Sequence, residues 1–288
     1  MSDSPIGVVI ATRDRADTLA VTLRHLNDLP ERPTVLVVDN ASTDHTRTMI
    51  ARHFSAVRLL SLPVNRGALA RNEGVRALGT PYVAFSDDDS WWAPGSLATA
   101  VRLLREHPRL GLVAARTHVG PGQDSDPLND ALAGSPLGHV PGLPGRQSLG
   151  FLGCAAVARR SAYLDAGGYH PLLFFGAEET LLAYDLTARG WGVCYCPDVV
   201  AHHHPAVGPR PHRTALVRRN EVLTAWLRRP LPVAVRRTWA LAADARHDSS
   251  ARRALRGALV RIPAALRTRT PLPDHVEQAV RLVEGASS

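Results

Sequence analysis

The chain has 288 residues, 45% of them hydrophobic, and a formal net charge of +8, a composition that supports one large core or two modest ones and excludes disordered and collagenous classes. Apolar runs such as Val35–Val38 and Val199–Ala201 are far shorter than the ~20 residues of a membrane-spanning helix, and Met1–Pro5 lacks the basic start of an export segment. The charge is uneven: residues 205–288 hold sixteen arginines against six acids, residues 1–204 hold 18 basic and 20 acidic residues, and there is no lysine.

Ile6–Thr12 (IGVVIAT) reads as a buried strand, and Ala16–Asn27, with Leu19, Leu23 and Leu26 on one face, as a helix. Thr34–Asp39 is a second strand, His45–His53 a helix, Val57–Leu62 a third strand, Ala68–Ala77 a helix and Pro81–Ser86 a fourth strand. Apolar strands alternating with helices indicate a mainly parallel α/β sheet covered on both faces. Leu97–Glu106 continues as helix and Leu110–Thr117 as strand, before a Gly/Pro/Asp/Ser-rich stretch from His118 to Leu149 that is too long for a simple connection. Phe151–Ala158 returns to strand-like sequence, Ala177–Arg189 is helical, and Trp191–Cys196 and Val199–His204 read as two closing strands. This gives a domain over 1–205, with halves of 1–117 and 118–205, and a basic helical extension over 206–288. Helices are expected there around Leu216–Leu227, Val233–Ala243 and Arg252–Val260, interrupted by prolines. Cys154, Cys194 and Cys196 are an odd number, the Cys194-x-Cys196 pair is too closely spaced for an ordinary disulfide or a Cys-x-x-Cys redox or zinc motif, and all three read as reduced, mostly buried residues that fit a cytoplasmic chain.

Four polar clusters fall at the carboxyl ends of the first four strands: Thr12-Arg13-Asp14, Asp39-Asn40, Asn65-Arg66 and Asp87-Asp88-Asp89. In an open parallel sheet that edge binds ligands, so the clusters point to one crevice. Three adjacent carboxylates repel one another unless something neutralises them. If the segment is extended, Asp87 and Asp89 share a face and can meet one divalent cation, while Asp88 points elsewhere; a solvated acidic turn is the plainer alternative. Asp39 at a strand end suits a base or ribose, although Asp39–Asp44 also reads as a capped turn. Gly67 permits close backbone approach, and Arg66 or Arg71 at a helix start favours an anion; no phosphate-cradling P-loop or dinucleotide fingerprint is present. Glu178-Glu179 at a helix start suits the helix dipole or a general base. In His202-His203-His204, strand geometry puts His202 and His204 on one face, where imidazole could join Asp89 on a cation.

Taken in order, VVIATRDR (8–15), VVDNASTD (37–44), NRGALARNEG (65–74), FSDDDSWWAPGSL (85–97), AEE with LTARGW (177–191) and CPDVVAHHH (196–204) resemble the family 2 glycosyltransferases of the GT-A fold, over about residues 5–205. The resemblance implies a metal-dependent inverting hexosyl- or deoxyhexosyl-transferase using Mg²⁺ or Mn²⁺. It implies that Asp39 meets the base of a nucleotide-diphosphate sugar and that Thr12, Arg13, Asp14, Asn65, Gly67 and Arg71 help hold the donor. Asp87 would serve the ribose and the metal, Asp89 the metal, and His202 or His204 the metal or diphosphate. The family's acid pair is Glu-Asp or Asp-Asp. Here it is Glu178-Glu179, a departure that leaves either glutamate as the base. Trp91 and Trp92 suit sugar stacking or core packing. Asp88 stays open.

The implied acceptor is a hydroxyl, on a glycan, a lipid-linked carrier or a metabolite precursor. The basic extension suits peripheral contact with the inner face of an anionic membrane; no nucleic-acid module is recognisable in it. A metal-dependent phosphohydrolase and a non-catalytic nucleotide-sugar-binding protein are the rival readings.

Overall fold

A computed structural model of the protein describes residues 4–206 and 211–286. Most of the Met1–Pro5 opening, and residues 207–210 and 287–288 of the basic extension, lie outside the described residues. In chain order come β1 (Ile6–Thr12), α1 (Ala16–Asn27), β2 (Thr34–Asp39), α2 (Thr46–His53), β3 (Arg58–Ser61), α3 (Leu69–Ala77), β4 (Tyr82–Ser86), β5 (Ser90–Trp92) and α4 (Ser96–Glu106). Then follow β6 (Leu110–Val119), β7 (Asp124–Ser125), α5 (Pro127–Ala133), β8 (Arg146–Gln147), β9 (Ala156–Arg159), α6 (Arg160–Asp165), α7 (Glu178–Ala188) and β10 (Gly192–His203). The chain ends in α8 (Pro211–Arg228), α9 (Leu231–Asp244), α10 (Ser249–Arg267) and α11 (Asp274–Ala286).

The strands form one sheet in the order β3-β2-β1-β4-β9-β6-β10-β5, with β7 on β6 and β8 on β10. β3, β2, β1 and β4 are parallel, β9 is antiparallel between β4 and β6, and β10 runs parallel to β6. Alternate side chains enter opposite cores. Val8, Ile10, Val35 and Val37 pack under α1, α2 and α4 with Leu19, Leu23, Ile50 and Leu104, while Val9, Leu36, Val38 and Phe85 pack against α3, α6 and α7 with Val75, Tyr163 and Leu182. Each fully buried aliphatic side chain contributes about 1.5–3 kcal/mol, so both layers hold the sheet edge rigid. In register, Thr12 pairs with Asp39 and Asp39 with Ser61, while Ser86 lies beside Ile10. Four polar clusters are thereby brought to one edge. All three cysteines are free and buried.

Four expectations change. Trp191–Cys196 and Val199–His204 are one strand: β10 is bulged between Cys196 and Val200, where Pro197 offers no N–H to the ladder. Phe151–Ala158 yields a shorter strand, β9, and the 118–149 stretch carries β7, α5 and β8. Proline does not interrupt α10, which runs through the exposed Pro263, and α11 was not foreseen. The C-terminal helices are also anchored to the body. Leu223, Leu227 and Ala265 pack with Leu173 and Leu181, Val276 and Val280 pack with Leu149 and Tyr184, and Arg228 pairs with Asp185 of α7. Buried Arg229 spends its charge internally, 2.6 Å from both Glu277 and Glu284.

Candidate active site

Asp87–Asp89 form a tight turn instead of an extended segment: Ser90 N–H donates to Asp87 O at 3.3 Å, and Asp87 N–H donates to Ser90 Oγ at 2.7 Å. The three carboxylates therefore leave in different directions. Asp87 is 38% exposed at its side chain and pairs with Arg71, which is buried and lies 5.9 Å from the Tyr169 ring centroid. Asp88 points inward, accepting from Thr12 Oγ1 at 2.9 Å and facing Arg15 Nε at 2.7 Å. Burial pushes its carboxyl up to about 6, against the pull of Arg15. Asp89 lies 2.9 Å from Arg15 Nη2 and 3.4 Å from His203 Nε2. Mutual repulsion is thus answered by two arginines. Arg15 was not singled out from sequence; its only signal is its place at the end of the VVIATRDR run.

At the ends of β1–β3, Asp39 is fully buried, accepting from Ser42 N–H at 3.0 Å with Arg47 Nε 3.0 Å away. Asp14 accepts from Thr43 N–H at 2.6 Å and from Asp44 N–H at 3.3 Å, and these bonds, Thr43 first, hold its carboxyl below the usual range despite some desolvation. Asp14 thus staples the turn after β2 to β1. Asn40 accepts from Arg66 N–H at 2.7 Å and donates to Gly67 O at 3.0 Å, and Asn65 accepts from Gly67 N–H at 2.9 Å. Gly67 has φ +59°, and a Cβ there would sit 2.1 Å from Phe174 O; only glycine lets this loop meet the opposite wall.

A cavity of about 360 Å³ opens between the walls. Thr12, Arg13, Arg15, Asn65, Gly67, Arg71 and the three aspartates line one side, and Gly153, Cys154, the 174–179 segment, His203, Arg213 and Leu216 the other. Glu178 is 2% exposed, and burial, then the neighbouring Glu179, pushes its carboxyl up to about 8. Glu179 lies against Gly153, where a Cβ would come within 2.6 Å of Oε1, and burial raises its carboxyl too, with Arg71 opposing. A second cavity, about 440 Å³, lies beside Pro5, Leu97 and Val101, with Glu31, Arg102, Arg105 and Glu106 around it, and is lined by none of the residues singled out from sequence as site residues.

Two site expectations are corrected. His203, not His202 or His204, faces the carboxylates. Directly paired residues on antiparallel strands share a face, and β10 pairs His203 with Ser90, which serves the aspartate turn, but His202 with Trp91. His202 and His204 join an aromatic group with Trp91, which stacks on His25 at 4.0 Å. Trp92 is 1% exposed within the core and touches no sugar space.

Ligand atoms of Asp87, His203 and Cys154 lie within 4.8 Å of one another. Burial raises the Cys154 thiol well above its ordinary value, so it stays protonated, and the oxygen and imidazole donors of Asp87, Asp89 and His203 remain. That set fits Mg²⁺ or Mn²⁺.

The wall carrying the glutamates is held from α8. Asn220, fully buried, donates to Leu173 O at 2.9 Å, Phe175 O at 3.0 Å and Gly176 O, and Arg219 also donates to Leu173 O. Phe174, Gly176 and Ala177 are all at positive φ, backbone that needs such support. Asn220→Leu is expected to cost ~2–4 kcal/mol, since each carbonyl left unpaired costs ~1–3 kcal/mol, and to slow turnover. Asn220→Gln, which keeps the amide, should lose less in thermal unfolding and initial rate. Sequence reading missed Asn220 because the carbonyls it holds lie 44 to 47 residues upstream, and missed Arg213 and Leu216, which reach the cavity only through the packing of α8.

Residues 7–165 match the sequence profile of Glycosyl transferase family 2. The chain is 27% identical, over 86% of its length and 95% of the relative, to the N-acetylglucosaminyl-diphospho-decaprenol L-rhamnosyltransferase of Mycobacterium tuberculosis (strain ATCC 25618 / H37Rv). It is 31% identical to that strain's pre-mycofactocin glycosyltransferase, over 70% of this chain and 43% of the relative. Among solved structures, S. aureus TarS 1–349 in complex with UDP-GlcNAc superposes with a TM-score of 0.63 at 16% identity, covering 95% of this chain and 83% of that one. The mannosyltransferase PcManGT from Pyrobaculum calidifontis, in complex with GDP-Man and Mn²⁺, gives 0.59 at 21% identity, covering 100% and 77%. These two likenesses speak for the fold.

Proposed function

The chain belongs to glycosyl transferase family 2 and is a glycosyltransferase with a GT-A-like fold; from that premise we propose a metal-dependent, inverting transfer from a nucleotide-diphosphate sugar to the hydroxyl of a lipid-linked acceptor. The observation that carries this reading is that Asp87, Arg71, His203 and Glu179 converge on one cavity at the carboxyl edge of the sheet. In it, the Asn40 loop, whose turn buried Asp39 holds through Ser42 N–H, receives the nucleoside, and Arg13, Arg71 and Arg213 set positive charge where the diphosphate lies. Asp87, Asp89 and His203 would hold the cation, which when bound supplies Lewis-acid stabilisation of the departing diphosphate.

Glu179 is the base. It takes the acceptor hydroxyl proton as the oxygen bonds to the anomeric carbon, and the bond from that carbon to the diphosphate oxygen breaks with its electron pair leaving on the nucleoside diphosphate. Glu179 suits the role better than Glu178, which is almost fully buried, whereas Glu179 is partly open to the cavity. Phe174 and Phe175, 39% and 40% exposed, with Leu216 give the cavity an apolar rim suited to a lipid carrier. The relative matched nearly end to end is named for a diphospho-decaprenol acceptor. No helix among the described residues is long and apolar enough to cross a membrane; in this reading the arginine-rich extension supplies peripheral contact with the anionic surface.

Purified protein incubated with Mn²⁺ and a panel of nucleotide sugars is expected to release nucleoside diphosphate fastest when a membrane-lipid extract is added as acceptor, and to stop on chelation. Phosphate release from simple activated esters without any sugar donor would replace this reading with a phosphohydrolase.

A further inference from the structure

The outer face of α10 is exposed, apolar at its centre and basic around it. Its buried side is a seam of Ala251, Ala254, Ala258 and Ala265 against the other C-terminal helices and the body. At helical spacing on the opposite side lie Arg256, Leu259, Val260, Pro263, Leu266 and Arg267, all exposed, while Arg252 on the same side donates to Ala245 O and Arg246 O. Val260 is 78%, Leu259 52% and Leu266 45% exposed. The 19-residue helix contains five arginines and no acid. An apolar centre is therefore bracketed by guanidinium groups whose stems can lie along it while their heads reach outward. The adjoining α9 adds Trp239, 72% exposed, with Val235 and Leu231 one and two turns before it.

We propose that this face of α10 is a docking surface for an anionic lipid bilayer. Leu259, Val260, Pro263 and Leu266 enter the headgroup boundary, and the arginines meet lipid phosphates. A second copy of the chain fits poorly, because it would set arginine rows against each other. A polyanion such as RNA would use the arginines and leave the apolar centre wet. The inference rests on the lipid-acceptor reading for its purpose: α8, packed against α10, also supplies Arg213 and Leu216 to the cavity, so docking would hold the site near a membrane-borne acceptor.

The test is flotation of the full chain with vesicles of mixed phosphatidylglycerol and phosphatidylcholine, against pure phosphatidylcholine, at low and high salt. Wild type is expected to float only with the anionic vesicles at low salt. Arg256→Gln with Arg267→Gln should weaken partitioning on the order of 25-fold, about fivefold per charge removed. Leu259→Glu with Val260→Glu should abolish it, while all variants keep the wild-type melting temperature and rate on a detergent-soluble acceptor. Four outcomes would overturn the proposal: no flotation of wild type, equal flotation of the glutamate variant, a wild-type dimer that this variant dissolves, or RNA binding in place of vesicle binding. The readout needs no catalysis, so loss of docking leaves the transferase reading standing, and an inactive protein can still dock.

Discussion

Glu179→Gln is expected to lower kcat by about 10²–10⁴-fold, the usual contribution of a positioned general base, while the donor KM stays close to wild type. The amide keeps the shape of the carboxyl over Gly153 but takes no proton. Glu178→Gln should cost far less, because its side chain is almost fully buried and presents little to the acceptor. The sign of the pH dependence follows from the same burial. A base works deprotonated, and the Glu179 carboxyl is raised above its ordinary value of 4.5, so kcat/KM should fall on the acid side at a pH above the normal carboxylate range. Initial rates of nucleoside diphosphate release across pH check this. Equal losses from both glutamine variants would mean that the pair acts as one unit.

Asp87→Asn is expected to lower kcat/KM by about 10²–10³-fold, the scale seen when one electrostatic contact to a developing charge is removed. The divalent-ion concentration needed for half-maximal rate should also rise. Two effects combine at this side chain, which is a proposed ligand beside His203 and also the partner of buried Arg71. Losing the charge leaves Arg71 underpaired at a part-exposed site, so a stability loss of about 1–3 kcal/mol should accompany it, below the ~3–5 kcal/mol of a fully buried pair. Titrating Mn²⁺ into variant and wild type separates the roles. An unchanged metal requirement would move the ion away from Asp87.

The carboxyl edge of the sheet was legible in the sequence because it depends on local pattern. Buried runs such as IGVVIAT and TVLVVD declare parallel strands, and whatever polar residue ends such a strand must lie at that edge, so the places of Thr12, Asp39, Asn65 and Asp87 along it were readable without contacts. What stayed hidden depends on pairing and parity. The Asp87–Asp89 turn closes through Ser90, and the choice among three histidines turns on a bulge at Pro197 and on Trp91 facing His202. Trp92 looked like a sugar platform because aromatic rings beside carboxylates suit one, yet its neighbours in space are core residues. The extension's arginines gave no sign that Arg228 and Arg229 are spent on Asp185, Glu277 and Glu284 whereas Arg256 and Arg267 on α10 are exposed. Charge counting sums over both kinds.

Direct displacement across this cavity is tested most plainly by the anomeric configuration of the product. With the donor sugar found by the panel, NMR of the transferred glycan is expected to show a configuration opposite to that of the sugar in the donor, since one base and one attacking oxygen act on the face away from the diphosphate. A product that retains the donor's configuration would contradict the assignment of Glu179 and the single-step mechanism with it.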